Sequence, residues 1–491
     1  MATKSKKGLS LKFRAAGKTV ELRMRSLSSF GPSSPGPQGL RGVRKSAPVK
    51  QALAGVAATL HHQASRLKAR FHEIREDALM VVPPQGERGV IHIPTQSLIV
   101  EQPRAAALRW LADRGFVEVQ GGRRDKSLFQ APDGDEVGIR SVFDAAQELT
   151  QLGTCASASP NLLRAVQRPA PSSSTATSSW HLRNDGSPGV PGADVHALAA
   201  WSITEGDAAI RVAVLDEGVD STHPWLPVVA EADFVDNNAT ARPDRDDAHG
   251  TACAGIIASR HADRRGVAPG VSIVGVRIAK SDNFGFWIFD DFDTADAIDW
   301  SWDDQNCDVL SNSWGGGLPS DAIIRAFERA RTQGRGGLGA VVAVAAGNED
   351  VAIGFPADLP GMLTVGASNQ WDKRKTKTSA DGENWWASSH GPELDLVAPG
   401  VGIRTADIRG SRGYSASMWT DSFNGTSSAT PQAAAAAALI LSLRPDLNEQ
   451  QVRQLIVDGC DHVGGSSFPN PTVGHGRLNV YRALWLARRH P

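Results

Sequence analysis

Between residues 210 and 399 the chain carries the runs IRVAVL, VSIVGVRIA, CDVLSNSW, GAVVAVAA, MLTVGAS and LDLVAP, none of which alternates strictly between apolar and polar residues. A strand with one wet face alternates with period two, whereas a near-continuous apolar run belongs to a strand covered on both faces. Helical stretches such as DAIIRAFERARTQG and TPQAAAAAALILSL separate these runs. Doubly buried strands joined through helices form a mostly parallel sheet between two helix layers. Residues 180–491 therefore read as one three-layer α/β domain.

The chain before it has another texture. Residues 1–50 hold basic side chains from Lys4 to Lys50 against the single acid Glu21, followed by a stretch rich in Ser, Gly and Pro. That composition predicts a disordered basic arm, with contact to an acidic partner as the alternative. In 51–80 the apolar residues Leu53, Val56, Leu60, Leu67, Phe71 and Ile74 recur at mostly helical spacing and predict an amphipathic helix. Residues 81–167 read as strand, helix, strand, strand, helix, strand, ending in a short extended piece around Thr154–Ala158. This order describes a small ferredoxin-like α+β domain. The segment RPAPSSSTATSS, residues 168–179, is a linker by its Pro and Ser content.

Several function classes are disfavoured by charge and patterning. The formal net charge is -1, which provides no whole-molecule attraction to nucleic acid or an anionic membrane. The apolar run Ala433–Leu441 is far short of the ~20 residues that span a bilayer. Charges interrupt every apolar stretch near the start, so no signal-peptide pattern appears and a cytoplasmic protein is expected, with non-classical export as the alternative. Cys155, Cys253, Cys307 and Cys460 form neither a disulfide framework nor a zinc-ligand spacing.

In an open α/β sheet the chemistry gathers at the carboxyl ends of the strands. Three residues fit that rule. Asp216 closes the run IRVAVL, His249 lies in DDAHGTACAGII, and Ser427 lies in NGTSSATPQ at the start of the alanine-rich helix. Each has a plain structural alternative: a turn cap, an exposed histidine, a helix-capping serine. Together they form a set with a purpose. A serine hydroxyl is a weak nucleophile until a base takes its proton, and the imidazole needs a carboxylate to hold its tautomer.

The segments VAVLDEGVDSTHP, HGTACAGIIA and FNGTSSATP resemble those of the subtilisin-like serine peptidases, and AAGNE at 345–349 resembles that family's oxyanion loop. The resemblance implies a subtilisin-like fold and a serine endopeptidase with Asp216, His249 and Ser427 as its triad. It further implies Asn348 as an oxyanion donor and a protein or peptide as substrate. Ser313, Trp314 and Gly315 resemble the strand that pairs with substrate backbone, and Gly354 the segment closing the primary specificity pocket. An open glycine there favours large apolar residues, while Glu349 and Asp350 favour basic ones. No cofactor is needed for such chemistry. Structural calcium is compatible with the family, but the Asp-rich stretch 282–308 lacks an EF-hand pattern, so no metal ligands are assigned; several of its acids are expected on a solvated helix face. Residues 81–167 resemble the family's inhibitory propeptide, which implies self-cleavage between about Ala158 and Ser179. Cys253, four residues after His249, reads as packing or as a thiol beneath the site. The pair Trp385-Trp386 and the loop after Val401 carry no assigned chemistry. The alternative function is a catalytically silent peptide-binding module on the same fold.

Overall fold

The computed structural model describes residues 9–15, 18–26, 80–81 and 90–491, apart from 133–134, 168–177, 239, 245, 282–285 and 466. The helix predicted at 51–80, but for Met80, which lies in the strand Met80–Val81, and most of the linker fall outside the described residues. Two compact units emerge: Met1–Arg168 with Ser281–Asp296 and Gly317–Ala326, and Pro169–Lys280 with Ala297–Gly316 and Phe327–Pro491.

In the second unit the six predicted runs become strands of one sheet, joined by a seventh, Val228–Asp233, which the sequence reading missed. The strand order is Leu396–Pro399, Leu363–Ser368, Val341–Ala345, Val309–Asn312, Arg211–Asp216, Ser272–Arg277, Val228–Asp233, and every neighbouring pair is parallel. The missed strand is half-exposed at the sheet edge, so its sequence VVAEAD lacks the apolar run that marks the others. The chain leaves Arg211–Asp216 to one side for two strands and later returns on its other side. The direction of winding therefore reverses between Arg211–Asp216 and Val309–Asn312, and a crevice opens beyond their carboxyl ends. Helix Thr426–Leu443 is buried continuously from Thr426 to Leu441. Its alanines pack in one core with Val212, Val341, Leu363 and Ala252, which explains a helix that is apolar on all sides. The loop after Val401 forms a two-stranded antiparallel ribbon, Ile403–Ala406 with Trp419–Phe423.

In the first unit Ile91–Glu101 lies between Ser157–Gln167 and Lys126–Gln130, with Val117–Gly121 outermost, all antiparallel. Helices Ala105–Asp113 and Asp135–Leu152 complete the ferredoxin-like pattern. The last strand is longer than the short piece predicted, because its second half pairs with Phe286–Asp290. Residues 281–296 and 317–326 thus group with the N-terminal unit. Of the acids expected on a solvated helix face, Asp303 and Asp304 are exposed on the turn Trp300–Asp304, whereas Asp290, Asp291, Asp293, Asp296 and Asp299 are buried. Asp291 and Arg164, each 1% exposed, form a two-pronged pair at 2.5 and 3.1 Å. Asp296 binds Arg123 at 2.6 Å and Lys126 at 3.4 Å, and Asp290 accepts from Asn161 at 2.8 Å. Carboxylates committed in this way to cations and amides are poor calcium ligands.

The basic arm also needs correction. Leu9–Ala15 and Lys18–Ser26 form an antiparallel hairpin in which Leu9 faces Met24, Leu11 faces Leu22 and Phe13 faces Val20. Its apolar residues alternate with charged ones, a strand period that the net basic composition concealed.

Candidate active site

Asp216 ends its strand at the winding reversal and is 4% exposed. One of its oxygens accepts the N–H of Glu217 at 2.8 Å, so the turn-capping role is present. The carboxylate does more: both its oxygens lie 2.9 Å from His249 Nδ1. His249 opens helix His249–Ala258. Its backbone N–H, unpaired within the helix at that position, donates to Glu217 Oε1 at 2.7 Å. The Phe423 ring meets the imidazole edge-on at 5.2 Å between centroids. A buried imidazole held at Nδ1 by a carboxylate presents Nε2 as the proton acceptor.

Ser427 does not cap its helix, which was its plain structural alternative. Gly425 occupies the N-cap with φ near +100°, and Ser427 is the second helical residue. Its Oγ, free of capping duty, donates to Ser313 O at 3.4 Å, while Ser313 Oγ donates to Ser427 O at 3.1 Å. Ser313 directly follows the strand beside Asp216. The reversal of winding thus brings the serine helix, the histidine helix and two strand ends together.

Asn348 is held in a defined orientation. Its Oδ1 accepts Thr426 N at 2.8 Å and Thr426 Oγ1 at 3.1 Å, which turns Nδ2 the other way. A point one bond off Gly425 Cα, where any other residue would carry Cβ, lies 3.3 Å from Asn348 Nδ2, 3.4 Å from Asn348 Oδ1 and 3.5 Å from Ser427 N. The Asn348 amide and the Ser427 backbone nitrogen therefore border one small space beside Gly425, where a side chain would crowd them.

Ser313, Trp314 and Gly315, predicted to lie along a substrate strand, follow the strand Val309–Asn312 and lie outside the sheet. Trp314 is buried and stacks on Phe327, and Gly316 N donates to Phe355 O at 2.7 Å. That bond ties the 313–316 segment to the one holding Gly354. The acids near this segment are engaged: Asp350 pairs with Arg374, and Glu349 accepts the N–H of Asn348 at 2.8 Å. Cys253 Sγ lies 3.8 Å from His249 Nδ1 and 3.5 Å from Ser427 O. Burial, with Asp216 next in effect, pushes its thiol well above the usual range. Asp216, His249 and Cys253 are the donor cluster of metal-ligating type among the described residues. A protonated thiol and an imidazole nitrogen already facing a carboxylate fit a metal poorly. Sequence reasoning missed Glu217, whose tie to His249 depends on contact between two separate segments.

The similarities to known proteins point to one family. The model of the subtilase family matches residues 207–476, more than half of the chain. Subtilisin E of Bacillus subtilis is 35% identical over 283 residues, covering 56% of this chain and 65% of the relative. Thermitase of Thermoactinomyces vulgaris is 32% identical over 296 residues, covering 59% and 93%. A calcium-dependent protease of Nostoc is 31% identical over 388 residues, covering 71% and 56%. The chain thus spans slightly under two thirds of subtilisin E. Among solved structures, the serine protease of Aeromonas sobria in complex with its chaperone superposes with a TM-score of 0.54 at 22% identity, covering 64% of this chain and 66% of that one, a likeness of fold.

Proposed function

This chain belongs to the subtilase family, and from that premise we propose that it is a serine endopeptidase acting through an acyl-enzyme on Ser427. His249 Nε2 takes the Oγ proton as Oγ attacks the scissile carbonyl, and Asp216 holds the imidazolium that forms. The carbonyl oxygen gains negative charge and is received by Asn348 Nδ2 and Ser427 N. Collapse of the tetrahedral intermediate breaks the C–N bond, with the imidazolium returning its proton to the leaving amine. Water, activated by the same base, then hydrolyses the ester. The observation that carries this reading is the buried Asp216 carboxylate held against His249 Nδ1, with the Asn348 amide and Ser427 N around the space beside Gly425.

Substrate backbone is taken along Ser313, Trp314 and Gly315 by strand addition. With Asp350 paired to Arg374 and Glu349 bonded to Asn348 N, a large apolar residue is favoured before the scissile bond. The chain is made as a self-inhibited precursor whose N-terminal domain is the inhibitor. In support, Leu163–Gln167 pairs antiparallel with Phe286–Asp290, a segment inside the family match. A strand paired along its length resists cleavage, so self-processing falls after Gln167, between residues 168 and 179. A fluorophosphonate probe tests the activity: it labels the processed wild type and leaves Ser427→Ala unlabelled. Absence of labelling in both, with the chain folded and the N-terminal segment removed, favours the silent peptide-binding module. N-terminal sequencing of the two preparations locates the cut, which only the active chain makes.

No helix among the described residues is long and apolar enough to cross a membrane. Structural calcium is compatible with the name of the Nostoc relative, and no step of the chemistry above uses it.

A further inference from the structure

The segment around Trp385-Trp386, to which the sequence assigned no chemistry, bonds to the main chain of Asn348 and to Asn424 in the turn that leads to Ser427. Glu383 is 1% exposed. A carboxylate buried so deeply requires a donor for each oxygen. Oε2 accepts Trp386 Nε1 at 2.6 Å, and Oε1 accepts Asn424 Nδ2 at 2.7 Å. Bonds to an ionised acceptor are roughly twice as strong as neutral ones.

The second bond reaches the nucleophile turn. Asn424 Oδ1 accepts Gly402 N at 2.5 Å, so both ends of its amide are tied. The next residue is Gly425, whose N donates to Gly400 O at 2.9 Å. Thr426 N then binds Asn348 Oδ1, and Ser427 follows. The same loop holds the opposite side: Ser389 N donates to Gly347 O at 2.8 Å and Ala387 N to Asn348 O at 3.3 Å. The loop itself is anchored by Lys375, which is completely buried. Its Nζ meets Asp381 at 3.2 Å, donates to Thr376 O at 2.7 Å and Glu383 O at 2.5 Å, and lies 5.1 Å from the Trp386 ring centroid. One rigid loop thus fastens the main chain that presents Asn348 and, through Glu383 and Asn424, the turn that presents Ser427 N.

We propose that Glu383 is a positioning residue for the oxyanion site, acting through Asn424 to set the distance between the Ser427 N–H and Asn348 Nδ2. The inference rests on the peptidase reading above. Oxyanion donors act only when aimed at the position the charged oxygen will occupy, and a misplacement of ~1 Å costs on the order of 10²-fold. The amide of Glu383→Gln can accept from one partner only and turns a donor towards the other.

The test compares Glu383→Gln, Asn424→Ala, their double variant and Trp386→Phe in the processed enzyme, using peptide hydrolysis and the rate of fluorophosphonate labelling. Glu383→Gln and Asn424→Ala are each expected to lower kcat and the labelling rate by about 10- to 100-fold with KM changed less than about threefold. The double variant should be no slower than Asn424→Ala. Trp386→Phe removes the other bond to Glu383 and should stay within about threefold of wild type in kcat. The proposal is overturned if Asn424→Ala keeps wild-type kcat, if the loss falls on KM, or if Trp386→Phe matches Glu383→Gln. Asn424→Ala decides alone if Glu383→Gln does not fold. A wild type that is folded, processed and unlabelled refutes the peptidase reading instead, an outcome distinct from a labelled wild type with indifferent variants.

Discussion

Gly250, directly after His249, provides a demanding test of the site geometry. A Cβ at this position would stand 2.9 Å from Asp216 Cβ and 3.2 Å from Asp216 Cγ, and closer still to the carbonyl oxygen of Gly218. Carbon atoms in contact sit ~3.5–4.0 Å apart, so Gly250→Ala must part the histidine helix from the Asp216 strand by roughly 0.5–1 Å. Neither obstacle is the far end of a flexible side chain, so the backbone has to yield. Overpacking of this kind costs about 1–3 kcal/mol, which a domain with ~5–15 kcal/mol of stability survives. The 2.9 Å contact between His249 Nδ1 and Asp216 does not tolerate the same shift, and the expected loss in kcat is about 10- to 100-fold. Peptide hydrolysis, fluorophosphonate labelling and thermal melting on one preparation measure both effects. A folded Gly250→Ala protein with kcat/KM within about threefold of wild type would refute the reasoning, because the imidazole would then not depend on close approach of the two segments.

Three further outcomes are expected. Asn348→Ala should lower kcat by about 10²–10³-fold, or ~2.7–4 kcal/mol, with little change in KM, as steady-state kinetics would show. Arg164→Met strands the buried carboxylate of Asp291 and should cost about 3–5 kcal/mol in denaturant unfolding, whereas Arg164→Met with Asp291→Leu recovers most of it. Burial pushes His181 down to about 3. A histidine held neutral in the fold but free to protonate when unfolded contributes stability that is complete above pH ~6.5 and drains away as pH falls from there towards the folded value. At pH 4.5 this loss is about 2–3 kcal/mol, and melting curves of His181→Leu should be correspondingly less sensitive between pH 7 and 4.5.

Legibility in the sequence followed burial. The six apolar runs were readable because a strand covered on both faces needs apolar residues throughout, whereas Val228–Asp233 lies at the sheet edge and carries no such run. The hairpin at 9–26 escaped because its alternation is half charged. The acids of 290–299 were misjudged for another reason. An aspartate buried against Arg164 or Lys126 has the same local sequence as one in water, and its partner lies more than a hundred residues away.

The candidate site divides in the same way. Asp216, His249, Asn348 and Ser427 were legible because each sits in a short motif whose glycines and small residues are local requirements of a turn or a helix start. By itself the sequence determined the kinds of groups present and the order of elements that carries them. The tertiary structure alone decided that Ser427 lies inside its helix instead of capping it, that Glu217 ties down the histidine helix, and that the Trp385-Trp386 loop bears on Asn424. Those are contacts between segments distant in the chain. Their geometry follows from the reversal of winding between two adjacent strands and from close packing around it, and no local pattern of residues encodes it.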